Sequence, residues 1–505
     1  MSDNIASKRR QYTSTRRIGH ALIAIGVLAV VAAILVDSIG LGDQGVGASQ
    51  LLVMEIGVLA GLLGVSLAFL YPDKQFSLNE GIRTAFRRLP DLPVSVWIAV
   101  GFLIVYIAFF IFPVFLNPER SMWYFNKFLP DRRPIGLDIR AAMDYVQGWL
   151  ASNRSPYADG FIAYPPLALL LFSSMLLIGY PAYYYLITFL SLSFFTVSAL
   201  LMSRLIERKN NYFFYVLFAL SLFSYGFQFE LERGQSNVIA FSLCLIAVYL
   251  FHLHYESRYA AYLLFTIGVQ IKIYPIILIV MFIRDWRDWK ANVRRVVGIL
   301  ILNLFLLFIL GFRMFVEFLQ SVRGQQLYGE SWNGNHSLKG FVDNLTLDGF
   351  GMFTPETLKL IKQYQGWIEI MLLALLGICL LSIIAHSYVQ RIRGLNPNLL
   401  LVCTICALTV PSISNDYKLP ILTIPMAIVL SSLSMPRGNL RKTVSILLIV
   451  ITSVAYWSTQ YPFTVKPYAL TRNFPALFVI MVGVTGLNFV CFERRAAELL
   501  KGPGG

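Results

Sequence analysis

Asp138 is the residue in this sequence best suited to acid–base chemistry. It follows an apolar run and a polar stretch, begins a helical pattern, and is followed by Asp144, Asp159 and the aromatic, proline-rich residues 157–166. A carboxylate in such a setting can take a proton from a hydroxyl group. The alternative is a helix N-cap, a position that favours Asp after Gly136. A cap needs one carboxylate and several are present, so the sequence leaves both interpretations open.

A second polar group ends an apolar helical pattern further along the chain. Glu230, Glu232 and Arg233 lie there, and ionisable residues at membrane depth are costly unless they are functional or paired. The alternative is a Glu–Arg pair that reaches water at the interface. Gln235 and Asn237 open the next apolar run, where their amides could bind neighbouring helices or sugar hydroxyls.

Lys272 lies near the middle of the apolar residues 260–283. A solitary ammonium in such a place should face a polar cavity and meet a negative charge. A phosphate would suit it, because Pro275 breaks the helical ladder and leaves free backbone groups beside the lysine. The alternative is an ion pair with a Glu or Asp from elsewhere in the chain.

His336 is the one histidine of the five that we expect on the outer side, in a segment without apolar periodicity. It could act as an acid, a base or a hydrogen-bond donor to phosphate, or be only a surface residue. Asp416 lies in another outward polar segment, residues 414–418. The sequence contains no HExxH, GxSxG, P-loop or paired CxxC motif, so zinc hydrolase, serine hydrolase and NTPase chemistry lack support.

The elements that must position these residues are membrane helices. The 505 residues are 57% apolar and 14% charged, and the mean hydropathy is +0.65, whereas soluble proteins carry about 25% charged residues. This composition excludes a soluble enzyme, a disordered protein and a disulfide scaffold. The net charge of +15 would suit a nucleic-acid binder only on a water-soluble basic face, so we attribute it to membrane topology.

Placing the seven basic clusters in the cytoplasm puts both termini inside and predicts an all-α polytopic protein with about 14 transmembrane helices. Residues 167–178 are too short to span and should dip into the outer leaflet, and two short helices should meet near Lys272. Long loops carrying short helices, residues 117–165 and 317–365, face outward. The chemistry should therefore lie on the outer face.

The order of several motifs resembles bacterial glycosyltransferase family 87, the polyprenyl-phosphate-mannose-dependent α-mannosyltransferases of the GT-C superfamily. The resemblance covers residues 95–430, which implies a GT-C-like membrane core at 93–505 after an N-terminal tail and two additional helices at 1–92. These motifs are Asp138 with Gly148, Pro156-Tyr157, Tyr164-Pro165-Pro166-Leu167, Gly234-Gln235-x-Asn237, Gly268-x-x-x-Lys272-x-x-Pro275 and Asn335-x-Ser337-Leu338-x-Gly340.

The resemblance implies an inverting transfer of a sugar, mannose, from polyprenyl phosphate to a glycolipid or surface glycan at the outer face of the bacterial cytoplasmic membrane. Asp138 would be the base, and Lys272, Arg233 and His336 would contact the donor phosphate. No cofactor is required, although Asp138, Glu230 and Glu232 could share a divalent metal, and no nucleic acid is expected as a partner. The substrate-binding residues would be Tyr157, Tyr164, Glu230, Glu232, Gln235, Asn237, Asn335, Ser337 and Asp416.

Two other functions stay open. A flippase or transporter could use the same lysine and glutamates to bind ions or a lipid-linked glycan, although such proteins often show internal repeats and the sequence has none that we find. An O-antigen ligase or polymerase would instead use a diphosphate-linked glycan as its donor.

Overall fold

A computed structural model describes residues 17–32, 136–328, 334–347, 353–432, 439–456 and 474–500, except residues 30, 153, 161, 207–210 and 223, and five isolated residues between 53 and 100. Most of the predicted unit at 1–92 and residues 117–135 of the first outer loop lie outside these ranges. The described part of the N-terminal unit includes one short apolar helix, Arg17–Ala29.

The regular structure of the described residues beyond 135 is helical, as the sequence predicts, with two isolated β-bridges and no strands. Four 3₁₀ helices, Ser203–Leu205, Tyr255–Ser257, Tyr274–Phe282 and Asp416–Leu422, join some of the α-helices. The α-helices are α1 (Leu137–Ser152), α2 (Pro166–Ser173), α3 (Met175–Ile178), α4 (Tyr180–Met202), α5 (Asn211–Leu222), α6 (Tyr225–Arg233), α7 (Asn237–Leu253), α8 (Arg258–Ile271), α9 (Trp289–Leu307), α10 (Gly311–Tyr328), α11 (Leu338–Thr346), α12 (Pro355–Val389), α13 (Pro397–Thr409), α14 (Thr423–Ser432), α15 (Asn439–Tyr456) and α16 (Phe474–Leu500).

The long apolar helices mark a membrane protein. Within the described ranges two segments, Ala182–Leu205 and Pro355–Val389, are long and apolar enough to cross a bilayer. Two bent pairs raise that number to four: α5 with α6, bent by 49°, and α9 with α10, bent by 104°. The expected 14 crossings stay a prediction.

The structure has breaks at both places where the sequence predicts short helices. Residues 167–178 fall in α2 and α3, which end at Gly179 with a φ of 77°. At about 1.5 Å per residue these two helices are too short to cross a hydrocarbon core of about 30 Å. Further on, α8 ends at Ile271, Lys272 is extended, and a 3₁₀ helix starts at Tyr274 just before Pro275.

Helix α7 is the centre of the fold. Nearly all of its residues are buried, and it packs along α8 and α4. Helices α9 and α12 instead expose large apolar side chains, including Phe305 and Trp367, which suits contact with lipid. The predicted outer loop 317–365 is largely helical, since it holds the end of α10, all of α11 and the start of α12. The N-terminal end of α7, the start of α1 and the end of α8 converge on one place.

Candidate active site

The turn between α6 and α7 is built by local hydrogen bonds that the sequence encodes. Gly234 ends α6 in the left-handed conformation, with a φ of 66°. Its N–H donates to the Leu231 carbonyl at 3.1 Å, and the Gln235 N–H donates to the Glu230 carbonyl at 3.0 Å. This is the Schellman pattern that commonly closes a helix at glycine. It fixes where the side chain of Gln235 begins.

The carboxylate of Glu230 holds the start of α7. Its Oε1 accepts from the Val238 N–H at 2.9 Å, and its Oε2 accepts from Asn237 Nδ2 at 2.8 Å. The first N–H groups of a helix lack partners within it, so a buried carboxylate from the preceding helix satisfies one of them. Glu230 and Asn237 are both fully buried. Their contacts are those of residues that position the turn.

Helix α1 docks directly on this turn. The Gly136 N–H donates to the Glu232 carbonyl at 2.6 Å. A Cβ on Gly234 would lie 2.3 Å from Cδ1 of Ile139, so the absence of a side chain there permits the close approach. As a result Asp138, in the first turn of α1, lies over the α6–α7 turn.

Five of the predicted site residues meet at this point. Asp138 accepts hydrogen bonds from Gln235 Nε2 and from Arg233 Nη1, the latter at 3.4 Å. Gln235 Oε1 accepts from Lys272 Nζ at 2.9 Å. The Lys272 ammonium also lies 4.0 Å from the ring centre of Tyr164. Asp138 keeps 27% of its side chain exposed, and Arg233 keeps 16%, so both remain accessible to a ligand.

Tyr164 supplies a neutral hydroxyl to the same amide. Its OH donates to Gln235 Oε1 at 3.4 Å, and its ring meets Phe172 edge-on at 4.8 Å between centres. Burial raises the pKa of Tyr164, and the negative charges of Asp138 and Glu230 raise it further. The phenol therefore stays protonated at neutral pH.

Tyr157 lies behind Tyr164 and does not contact the Asp138 group in the described hydrogen bonds. Its OH donates to the Tyr164 carbonyl at 2.7 Å, and its ring packs 5.8 Å from that of Phe318. Burial, followed by the charge of Glu317, raises the pKa of Tyr157. The contacts of Tyr157 fix the backbone that carries Tyr164.

Four other predicted residues, Asn335, His336, Ser337 and Asp416, form a second buried group. Asn335 Nδ2 donates to the Ser412 carbonyl at 2.9 Å, and Ser337 Oγ donates to the same carbonyl at 2.7 Å. His336 Nε2 lies 2.7 Å from Oδ1 of Asp416, and both side chains are fully buried. His336 is therefore buried and is not a surface residue, and its position on the outer side of the membrane stays a prediction. Residues 335–337 pack against residues 412–416 through polar groups, which no apolar pattern in the sequence indicates.

The second group supports α6 from behind. Asp416 opens a 3₁₀ helix that packs on α6, and its carbonyl oxygen lies so close to Gly226 that a Cβ there would be 2.5 Å away. The ring centre of the next residue, Tyr417, lies 5.6 Å from that of Phe229. The Arg233 guanidinium carbon lies 5.1 Å from the centre of the same Phe229 ring. The second group thus backs the helix that carries Arg233.

Lys418 belongs to this region and was not among the predicted site residues. Its ammonium donates to the Ile413 carbonyl and lies 4.9 Å from the ring centre of Tyr274, two residues after Lys272. The signal that could have identified it is the presence of a second lysine between apolar runs, just after Asp416-Tyr417.

The positions of the acidic residues bear on metal binding. The described part of the chain holds no group of three or more His, Cys, Asp or Glu residues that could bind a metal ion. Both oxygens of Glu230 already accept hydrogen bonds within the turn. The suggested sharing of one metal by Asp138, Glu230 and Glu232 finds no support in these positions.

Comparison with known protein families gives a match. The model of glycosyltransferase family 87 matches residues 161–414, half of the chain. The matched region includes Tyr164, Arg233, Gln235, Lys272 and His336. Searches among curated proteins and among solved structures find no match. On this match, and with five of the expected site residues gathered at one membrane-helix junction, the chain belongs to glycosyltransferase family 87 and is a glycosyltransferase.

Proposed function

We propose that the protein is an inverting glycosyltransferase that moves mannose from a polyprenyl-phosphate donor to a hydroxyl of a glycolipid or surface-glycan acceptor. The observation that carries this proposal is the accessible Asp138 carboxylate beside two cationic side chains, Arg233 and, through Gln235, Lys272. We place the site at the outer face of a bacterial cytoplasmic membrane with both termini in the cytoplasm, on the distribution of basic residues in the sequence.

The reaction requires a base and a site for the departing anion. Asp138 takes the proton from the acceptor hydroxyl as its oxygen attacks the anomeric carbon from the face opposite the phosphate. The bond between that carbon and the phosphate oxygen breaks, and its electron pair leaves with polyprenyl phosphate. The new glycosidic bond has the inverted configuration, and the proton remains on the Asp138 carboxyl.

The cations of the site match the charge that develops on the leaving group. Arg233 and Lys272 are fixed by Asp138 and Gln235 before substrate binds, so little reorganisation is needed when the phosphate gains charge. A lipid phosphate also makes a nucleotide-binding domain unnecessary, since the sugar arrives already activated. The roles of Glu230 and Asn237 in this scheme are to hold the turn that carries Gln235.

The test uses full-length protein in nanodiscs with a synthetic polyprenyl-phosphate mannose labelled in the sugar and a glycolipid acceptor. We expect labelled product with inverted anomeric configuration by NMR. Product only from a diphosphate-linked oligosaccharide would identify a ligase or polymerase and contradict the proposal. Movement of the labelled lipid across the bilayer of proteoliposomes, without any product, would identify a flippase and contradict it equally.

A further inference from the structure

The two ends of the α7–α8 hairpin have different chemistry. One end carries Gln235 and Lys272 and forms the site described above. Helix α7 has 17 residues, so at about 1.5 Å per residue its other end, at Leu253, lies about 25 Å away. That distance approaches the roughly 30 Å of a bilayer's hydrocarbon core. The far end of the hairpin therefore lies near the opposite surface of the membrane.

Three guanidinium groups gather on one tyrosine at this far end, and we call them the arginine cluster: Arg258, Arg284 and Arg295. The guanidinium carbon of Arg284 lies 4.6 Å from the ring centre of Tyr255, and that of Arg258 lies 5.1 Å from it. Arg295 Nη2 donates to the Tyr255 hydroxyl at 3.3 Å. The aromatic ring offsets part of the mutual repulsion but cannot neutralise three positive charges.

The carboxylates near the cluster have partners of their own. Glu256 lies 3.6 Å from His254, Asp285 lies 3.4 Å from Arg393, and Asp288 caps the start of α9. Across the described residues none of the three arginines has a carboxylate within 4.0 Å. The cluster therefore carries an excess of positive charge that a bound anion would balance.

The members of the cluster differ in how their donors are used. Arg295 Nη1 donates to the Phe282 carbonyl and to Asn292 Oδ1, both at 2.9 Å, which fixes it in the fold. The Arg284 side chain is exposed and makes no hydrogen bond within the described part of the chain. Its guanidinium donors are therefore available for a ligand, while Arg295 holds the tyrosine in place.

The surface beside the cluster has the layered chemistry of a membrane interface. Trp289, at the start of α9, is 63% exposed, and tryptophan favours the boundary between lipid and water. Lys290 lies 5.9 Å from its ring centre, and Arg287 and Arg294 are exposed nearby in the chain. From there α9 continues with an exposed apolar surface that includes Val297, Ile301 and Phe305. A headgroup at the arginines would place its acyl chains along this helix.

We propose that the arginine cluster binds the phosphate of an anionic phospholipid in the leaflet opposite the Asp138 site. Planar guanidinium groups bind phosphate oxygens in pairs, and basic pockets between membrane helices are suited to lipid headgroups. A lipid fits better than a free phosphate because the charged pocket continues directly into Trp289 and the apolar surface of α9. This inference is independent of the proposed reaction.

The test compares full-length protein in phosphatidylcholine nanodiscs with and without phosphatidylglycerol. We expect phosphatidylglycerol to raise the thermal midpoint of the wild type by several degrees. The double variant Arg258→Gln/Arg284→Gln should lose at least half of that shift and retain about tenfold less phosphatidylglycerol in native mass spectrometry. Its midpoint in pure phosphatidylcholine should be unchanged, because Arg295 keeps the structural hydrogen bonds.

The control is Lys359→Gln/Lys362→Gln, which removes the same charge from exposed positions near the start of α12. These lysines lie at the opposite end of α12 from the cluster, because Gly394, just after the other end of that helix, donates to the Arg284 carbonyl. This control should keep the full shift. An equal shift in both double variants would overturn the proposal. Millimolar inorganic phosphate that reproduced the shift in pure phosphatidylcholine would also overturn it. If the arginine double variant failed to fold, Arg284→Gln alone would be used with Lys359→Gln, under the same criteria.

Discussion

The Lys272 ammonium donates a hydrogen bond of 2.9 Å to Oε1 of Gln235. Through its Nε2 the same amide donates to Asp138. An amide is suited to this position because it offers an acceptor at one atom and a donor at the other. One side chain therefore sets the separation between the proposed base and the cation proposed for the leaving phosphate.

Asp138→Asn should abolish most of the transfer activity. The amide keeps the shape of the side chain but cannot accept the proton from the acceptor hydroxyl, so we expect kcat to fall about 10²- to 10⁴-fold with little change in donor KM. The measurement is transfer of labelled sugar from polyprenyl phosphate in nanodiscs.

Asp144→Asn is the matched control for this substitution, since Asp144 lies on the same helix and is exposed. It should retain wild-type kcat. Full activity in Asp138→Asn would remove Asp138 as the base and leave it as a residue of the first turn of α1, where a negative charge stabilises the helix.

Lys272→Ala should weaken donor binding more than acceptor binding. Removing the ammonium takes away one of the two cations near Asp138, whereas Gln235 Oε1 keeps contacts with Tyr164 at 3.4 Å and Asn237 at 3.3 Å. We expect the donor KM to rise about tenfold or more while the acceptor KM changes little. Lys359→Ala, an exposed lysine in α12, serves as the control. Equal increases in both KM values would indicate that Lys272 acts through the structure alone.

The parts of the site that the sequence predicted have local signals. The break at Lys272 was predictable because a proline follows a solitary lysine in an apolar run. The end of α6 was equally clear, since charged residues precede Gly234 and an apolar pattern resumes after it. The contact of Asp138 with that turn was not predictable from spacing, because it depends on packing between Ile139 and a glycine about 95 positions away.

The burial of His336 shows what sequence patterns omit. Residues 335–337 are buried by hydrogen bonds to residues 412–416. Such polar contacts produce no periodic pattern of apolar residues from which burial could be predicted. The number of crossings stays a prediction. Two to four described segments are long and apolar enough to cross a bilayer, and several other apolar helices, such as α7 and α13, are shorter than a full span.

Gly234→Ala should separate α1 from the α6–α7 turn. The added Cβ would meet Ile139 Cδ1 at 2.3 Å and Cγ1 at 2.7 Å, and the φ of 66° is unfavourable for alanine. We expect a loss of about 1–2 kcal/mol from the backbone and about 1–3 kcal/mol more from the clash. Activity should fall as well, because Asp138 moves with α1. The measurements are thermal unfolding in nanodiscs and the transfer assay.

Gly160→Ala isolates the backbone part of this effect. Gly160 has a similar φ of 67°, but a Cβ there would have no atom within 4 Å. It should cost only the backbone contribution and leave transfer unchanged. If the two variants lost the same stability and activity, the close approach of Ile139 to Gly234 would not be what positions Asp138.

His336→Asn and Asp416→Asn should each destabilise the protein, because the first shortens one side of the 2.7 Å contact between two fully buried side chains and the second replaces its carboxylate by a weaker, neutral acceptor. Leaving a buried polar group without its hydrogen-bond partner costs about 1–3 kcal/mol, and the double variant should lose less than the sum of the singles by about 0.5–3 kcal/mol. Thermal unfolding of all three variants in nanodiscs measures this coupling, and donor KM is determined on the folded fraction.

Ser152→Ala, which removes an exposed hydroxyl at the end of α1, is the control for both assays. An increase in donor KM for His336→Asn without loss of stability would place His336 at the donor phosphate, as the family resemblance implies, and would remove it as the residue that supports α6 through Asp416.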